Sequence, residues 1–132
     1  MYTFAILLFS VFALLEVFNK DIVEKYKSVF AFICYAFLIF HDGFRWQTGS
    51  DWNVYYETFQ DIIFNTNNAS SSFEPGYYLL FYLIRLLTSN YTIYLVIQAI
   101  IFYSLFFICI FKLSNYPFIS ILLFYMIIVP YM

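Results

Sequence analysis

The chain has 132 residues, of which 64% are hydrophobic, 27% are aromatic and only 11% are charged. A soluble domain has about a quarter of its residues charged, and a globule of this size cannot bury so many apolar side chains. The composition therefore excludes a disordered chain and argues against a water-soluble domain. The formal net charge of −2 leaves no basic patch for phosphates, so we expect no nucleic-acid partner.

The positions of the charges indicate a membrane protein that crosses the bilayer several times. Five charged residues fall within residues 20–27 and six within 42–74, whereas the rest of the chain is almost wholly apolar. Charge confined to short stretches between apolar blocks is typical of a polytopic membrane protein. The sequence therefore predicts an all-α fold, a transmembrane helical bundle with about five spans and a short interfacial helix in the outer loop.

Five apolar blocks are the candidate spans. They cover residues 2–18, 29–40, 76–87, 91–111 and the stretch from residue 118 onward. The first block approaches the length that a hydrocarbon core of about 30 Å requires. It lacks the basic start and the small-residue cleavage site of a signal peptide, so we expect a retained helix. Glu16 lies near the end of this block, where we expect the membrane interface to solvate it and its role to be structural.

Three lysines within residues 19–28 set the expected orientation. The positive-inside rule places this polar link in the cytoplasm, and residues 41–75 then form an extracytoplasmic loop. If the third apolar block crosses the membrane, Arg85 extends to the cytoplasmic interface and Lys112 faces outside. If that block is re-entrant, Lys112 is cytoplasmic instead. We take the crossing as the expectation, because apolar blocks alternate with short links as in a helical bundle.

The last apolar block is interrupted by the end of the sequence. A helix that ends inside the bilayer would leave its last carbonyl groups without partners, which is expensive in lipid. We therefore expect residues 1–132 to form a single membrane domain that is the N-terminal portion of a longer protein.

The outer loop contains a predicted amphipathic helix. Its apolar face has helical spacing and consists of Trp52, Tyr55, Tyr56, Phe59, Ile62 and Ile63. Polar side chains fall on the opposite face, and Ser50 or Asp51 is placed to cap the N-terminus. A short helix of this kind between two spans should lie in the membrane interface.

Arg45 is the only cation of this loop, which also carries five carboxylates. One interpretation is structural: Arg45 pairs with Asp42 or Asp51, and Gly49 makes a tight turn. The other is functional: the guanidinium binds a phosphate or pyrophosphate at the bilayer surface, and a nearby carboxylate acts as general base. The residue pattern alone leaves both interpretations open.

Two motifs resemble those of the EpsG family: Arg45-x-x-x-Gly49-x-Asp51-x-x-x-Tyr55, and Glu74-Pro75-Gly76-Tyr77 at the start of an apolar helix. These multi-pass proteins belong to exopolysaccharide and O-antigen clusters and are regarded as Wzy-type repeat-unit polymerases. The order of the motifs and their place after the second span match, although the chain looks like the first third of such a protein. The resemblance implies a glycosyltransferase at the outer face of the bacterial cytoplasmic membrane. It would join polyprenyl-pyrophosphate-linked oligosaccharide repeat units into O-antigen, capsule or exopolysaccharide.

The resemblance also implies roles for individual residues. Arg45 would bind the pyrophosphate leaving group, Asp51 would position Arg45 or act as base, and Glu74 is the second candidate carboxylate. The expected substrate-binding residues are Arg45, Gly49, Tyr55 and Trp52. Because the substrate is lipid-linked, no nucleotide-binding motif is required and we expect no cofactor. We expect no metal, because two isolated thiols and one His are too few ligands for a metal site. The expected partners are the lipid-linked oligosaccharide, the bilayer and other polysaccharide-export proteins. We expect the full-length protein to be an enzyme and this piece alone to be inactive.

Two other functions remain open. One is a membrane glycosyltransferase that uses a polyprenyl-monophosphate sugar, in which Asp51, Glu57 and Asp61 would serve with a metal. Dependence of the activity on metal would separate it from the polymerase. The other is a non-catalytic or inactive truncated membrane protein, in which loss of Arg45 would affect folding alone.

Overall fold

The computed structural model describes residues 2–45, 52–62 and 74–127, which form six α-helices and no strand. The helices are α1 (Tyr2–Phe18), α2 (Lys20–Gly43), α3 (Trp52–Asp61), α4 (Pro75–Leu87), α5 (Tyr91–Leu113) and α6 (Pro117–Ile127). The predicted all-α class is therefore confirmed for this part of the chain. By length and composition, α5 is the one described helix that is long and apolar enough to cross a membrane, so the predicted five spans are not confirmed.

The chain divides into two compact units. Unit 1 comprises Met1–Leu38 and Ile101–Met132, and unit 2 comprises Ile39–Ile100. Helices α1 and α6 belong to unit 1, and α3 and α4 belong to unit 2. Helices α2 and α5 each contribute residues to both units.

The link between α1 and α2 is the single residue Asn19. The prediction that residues 19–28 form a link is therefore wrong, because residues 20–28 belong to α2. The N–H of Asn19 continues the hydrogen bonding of α1, and its carbonyl accepts hydrogen bonds from the N–H groups of Ile22 and Val23. Val23 is buried, because the helical turn directs this apolar side chain into unit 1. Tyr26 leaves the helical conformation (φ −111°, ψ 17°), so α2 is kinked where its charged first turns meet its apolar part.

Glu16 caps the N-terminus of α6 from the end of α1. Its side chain is 5% exposed, and its Oε2 atom accepts hydrogen bonds from the N–H groups of Phe118 (3.0 Å) and Ile119 (3.1 Å). Pro117, the first residue of α6, has no N–H, and the N–H of Ser120 makes the first hydrogen bond along the helix. One carboxylate oxygen therefore satisfies both remaining N–H groups of the first turn.

The burial of Glu16 corrects the expectation that interface water solvates it. A carboxylate is electrostatically favoured at the N-terminus of a helix, where the helix dipole is positive. Lys20 and Lys27 add an attractive interaction with the same carboxylate. The desolvation of Glu16 is thus offset by two backbone hydrogen bonds and by positive charge, which gives this residue a structural role.

Aromatic side chains fill unit 1 between α1, α2 and α6. The ring of Phe9 lies 5.1 Å from that of Tyr125, and the ring of Phe12 lies 6.1 Å from that of Phe118. Phe12 also stacks on Phe30 of α2 at 4.8 Å. Because residue numbers rise along α1 as they fall along α6, these two helices are antiparallel.

Helices α2 and α5 are antiparallel as well. Three pairs of residues define their direction: Lys27 with Phe111, Tyr35 with Ser104, and Gly43 with Val96. The Tyr35 hydroxyl and the Ser104 hydroxyl form a hydrogen bond of 2.8 Å, and the Lys27 ammonium lies 5.8 Å from the centre of the Phe111 ring. The first turns of α2 and the last turns of α5 therefore lie at the same end of this helix pair.

We predict that Glu16→Ala lowers the free energy of unfolding by about 2–3 kcal/mol, because it leaves two buried N–H groups of α6 without acceptors. Glu16→Gln keeps an oxygen acceptor but loses the charge, so its effect should be smaller. The measurement is the thermal unfolding midpoint of the detergent-solubilised protein, with the exposed Glu24→Gln as the matched control. An unchanged midpoint for Glu16→Ala would mean that the cap does not stabilise the fold.

Candidate functional site

Arg45 follows the end of α2, at a point where α2 lies very close to α5. Its N–H donates to the Asp42 carbonyl at 3.4 Å, and its side chain is half-buried. A Cβ atom on Gly43 would lie 2.9 Å from Cγ2 of Val96 and 3.1 Å from its Cα. A side chain at position 43 would therefore push the two helices apart, and glycine permits the approach that holds Arg45 beside α5.

A buried cluster joins α3, α4 and the first turns of α5. Its members are Trp52, Phe59, Ile62, Phe81, Ile84, Tyr91, Tyr94 and Leu95. Phe59 lies at its centre, with its ring 5.1 Å from Tyr94, 5.5 Å from Tyr91 and 5.9 Å from Phe81. The existence of the predicted amphipathic helix is confirmed, and its apolar face packs into this cluster.

The electrostatic surroundings of Arg45 include tyrosine hydroxyl groups. The guanidinium lies within electrostatic range of the hydroxyl groups of Tyr91 and Tyr94, whose side chains are buried. The hydroxyl of Tyr77 lies near that of Tyr94 and accepts a hydrogen bond of 2.9 Å from Nε2 of Gln98. A half-buried cation in such surroundings attracts an anion more strongly than it would in bulk water.

The structure places the two predicted aromatic binding residues differently. Trp52 is 9% exposed, because its ring stacks on Tyr56 at 5.0 Å and meets the edge of Tyr91 at 5.8 Å. Tyr55 is half-buried, with its ring 5.7 Å from that of Tyr77. The burial of Trp52 is explained by its packing in the cluster, whereas the side chain of Tyr55 keeps some exposed surface. Substrate binding by either residue stays a prediction.

Glu74 precedes the first residue of α4 and is exposed. Its carbonyl accepts a hydrogen bond from the N–H of Tyr78 at 3.0 Å, but its side chain makes no capping hydrogen bond to the helix. The carboxylate therefore stands in solvent near the positive end of the helix dipole. Two other predicted site residues, Gly49 and Asp51, lie outside the described residues.

Two polar residues of this region were not predicted to take part in it. Gln98, which donates to Tyr77, lies within the apolar block of residues 91–111, where a polar side chain is itself a signal. Arg85 was expected to extend to the cytoplasm. Its Nη2 atom donates to Oε1 of Gln60 at 3.4 Å, because α3 brings a polar side chain beside α4, and the side of the membrane that Arg85 faces stays a prediction. Across residues 2–45, 52–62 and 74–127, no three His, Cys, Asp or Glu side chains are grouped so as to hold a metal ion.

The sequence profile of the EpsG family matches residues 28–132. The chain belongs to the EpsG family. The match includes both motifs on which the resemblance rests, so this prediction is confirmed. No curated protein and no solved structure matches the chain significantly. Membership of the EpsG family, together with the apolar helix α5, indicates a membrane protein connected with polysaccharide biosynthesis.

We predict that Gly43→Ala destabilises this EpsG-family protein by about 1–3 kcal/mol, because the added methyl group overlaps Val96. Gly76→Ala is the matched control, since a Cβ atom there meets nothing within 4 Å. Thermal unfolding of both variants in detergent measures the difference. A midpoint for Gly43→Ala equal to that of Gly76→Ala would show that the helices separate at no cost.

Proposed function

We propose that this EpsG-family protein is a membrane glycosyltransferase that polymerises polyprenyl-pyrophosphate-linked oligosaccharide repeat units into O-antigen, capsule or exopolysaccharide. The observation that carries the proposal is the family match over residues 28–132. The position of Arg45, half-buried beside buried tyrosines, adds support, because it suits a residue that binds an anionic leaving group.

The proposed reaction transfers a growing glycan from its lipid carrier to the next repeat unit. The bond between the anomeric carbon and the pyrophosphate oxygen breaks, and the anomeric carbon bonds to an acceptor hydroxyl oxygen. The hydroxyl proton passes to a base, and the lipid pyrophosphate leaves as an anion. We assign Arg45 to this anion, because a guanidinium can donate two parallel hydrogen bonds to phosphate oxygens.

The base is assigned to one of two carboxylates. Asp51, six residues after Arg45 in the first motif, would take the proton or hold the guanidinium in position. Glu74 is the second candidate, and its exposure and lack of a capping hydrogen bond leave its carboxylate available to accept a proton. A general base must reach the acceptor hydroxyl directly or through one water.

We also propose an orientation in the bacterial cytoplasmic membrane in which α4 does not cross. With the lysines at the start of α2 in the cytoplasm, α2 ends outside, and the antiparallel pairing of α2 with α5 supports a cytoplasmic Lys112. The chain between Gly43 and Tyr91 then leaves and enters on the same side. Helix α4 has 13 residues and is about 20 Å long, shorter than a hydrocarbon core. In this orientation α1, α2 and α5 cross the membrane, α4 does not, and α6 starts back from the cytoplasmic side.

Loss of the guanidinium should stop polymerisation. We expect Arg45→Ala, in the full reading frame with its repeat-unit cluster, to reduce polymer by about 100-fold or more and leave single repeat units. Arg45→Lys keeps the charge but not the paired donors, so it should give a shortened ladder. The measurement is the glycan ladder on a gel in a polymerase-null strain with matched protein levels.

The exposed Lys112→Ala serves as control for this experiment and should give a normal ladder. If Arg45→Ala supports the same glycan chain lengths as the wild type, Arg45 has a structural role. The polymerase proposal would then rest on the family match alone, with no residue assigned to the pyrophosphate.

The orientation is tested by labelling single cysteines with a membrane-impermeant maleimide. Both native thiols, Cys34 and Cys109, are first replaced by serine. We expect the exposed sites Glu57→Cys and Ser89→Cys to react in intact cells, and Asn115→Cys to react after permeabilisation alone. If α4 crosses the membrane, Asn115→Cys reacts in intact cells and Ser89→Cys does not.

A further inference from the structure

Arg85 is a cation within the apolar helix α4. Among the described residues, only some of the hydrogen-bond donors of its guanidinium have acceptors. Its Nη2 donates to Gln60 Oε1 over a long distance of 3.4 Å. Its Nε is buried and has no hydrogen-bond partner in the described part of the chain. A guanidinium carries five N–H groups, so most of its donor capacity is unused by these residues.

No carboxylate balances the Arg85 charge within residues 2–45, 52–62 and 74–127. The two acidic side chains of α3, Glu57 and Asp61, are exposed, and neither forms an ion pair with it. A cation held without a counter-charge in a half-buried position is costly. An anion from outside the chain would remove much of this cost.

The guanidinium is also held in position before any anion arrives. The ring of Phe59 lies 5.6 Å from its central carbon and interacts with the positive charge. Gln60 is fixed in turn, because its Nε2 atom donates to the carbonyl of Ser89 at 3.4 Å in the link between α4 and α5. An arginine oriented in this way loses less entropy when it binds a phosphate.

The surroundings of Arg85 indicate the kind of anion. Arg85 lies less than one turn from the link of residues 88–90, which precedes the apolar helix α5. In the orientation proposed above, this link is at the outer surface of the membrane. The anionic groups at that surface are lipid phosphates, carried either by phospholipids or by isoprenoid pyrophosphates.

We propose that Arg85, positioned by Gln60 and Phe59, binds the phosphate group of a lipid at the outer surface of the membrane. This site goes beyond the polymerase reaction. It depends on the proposed orientation for the choice of leaflet and on no step of glycosyl transfer.

The test is native mass spectrometry of the purified chain, released from detergent with lipids of defined headgroup. The probes are phosphatidylglycerol, a polyprenyl pyrophosphate, and diacylglycerol as the phosphate-free control. We expect binding of the phosphate-bearing lipids and not of diacylglycerol. Arg85→Met should weaken that binding by about tenfold, because it removes the charge and keeps an apolar side chain of similar length. Preference for the polyprenyl pyrophosphate would identify the isoprenoid as the source of the phosphate, and equal binding would identify a general lipid headgroup site.

Gln60→Glu is the more informative variant, because it places a carboxylate opposite the guanidinium without changing the shape of the side chain. We expect the new carboxylate to pair with Arg85 and to lower lipid binding about as much as Arg85→Met, whereas Gln60→Leu, which removes the positioning hydrogen bond and keeps the Arg85 charge available, should lower binding less. Lys112→Met controls for general loss of positive charge and should bind as the wild type. Near-ultraviolet circular dichroism checks that Trp52 and its neighbours stay packed. Unchanged phosphate-lipid binding in folded Arg85→Met overturns the proposal, whatever the outcome of the glycan ladder.

Discussion

The interaction on which unit 1 depends is the hydrogen bonding of the Glu16 carboxylate to the start of α6. A helix that begins in an apolar environment has N–H groups that neither lipid nor water satisfies, and those groups must find acceptors within the protein. Proline at the first position removes one of these donors, and a single oxygen of Glu16 accepts from the next two. The first and last described helices are thereby fixed to each other at one end, and the aromatic contacts of Phe9 and Phe12 follow along their length.

The antiparallel pairing of α2 with α5 has the same importance for unit 2. It brings the end of α2 beside the start of α5, where Gly43 allows close contact and Arg45 lies within electrostatic range of Tyr91 and Tyr94. In the proposed orientation, the segment between these helices starts and finishes on the same side of the membrane. Arg45 and Arg85 both lie in unit 2 and are assigned different proposed ligands.

Much of this arrangement is predictable from the sequence, because it depends on local periodicity. The bounds of α1 and of the apolar helices, and the amphipathic face of α3, follow from the spacing of apolar residues. Contacts between distant residues do not follow from it. Glu16 was assigned to the interface because the N–H groups that donate to it lie 102 and 103 residues away. The expected position of Arg85 at the cytoplasmic interface followed from taking the third apolar block as a crossing, and its contact with Gln60 did not follow from the sequence.

The separation in sequence between Glu16 and its two N–H donors has a consequence for the order of assembly during synthesis. The single-residue link at Asn19 allows α1 and α2 to form a hairpin as soon as both have emerged. The acceptor oxygen of Glu16 is then ready before its partners exist, and at ordinary rates of translation it waits about 5–20 s for residues 118 and 119. Throughout that interval the lysines at the start of α2 are its available counter-charges. In the proposed orientation, the nascent hairpin therefore holds its carboxylate at the cytoplasmic surface until α6 is made and its first N–H groups bind it.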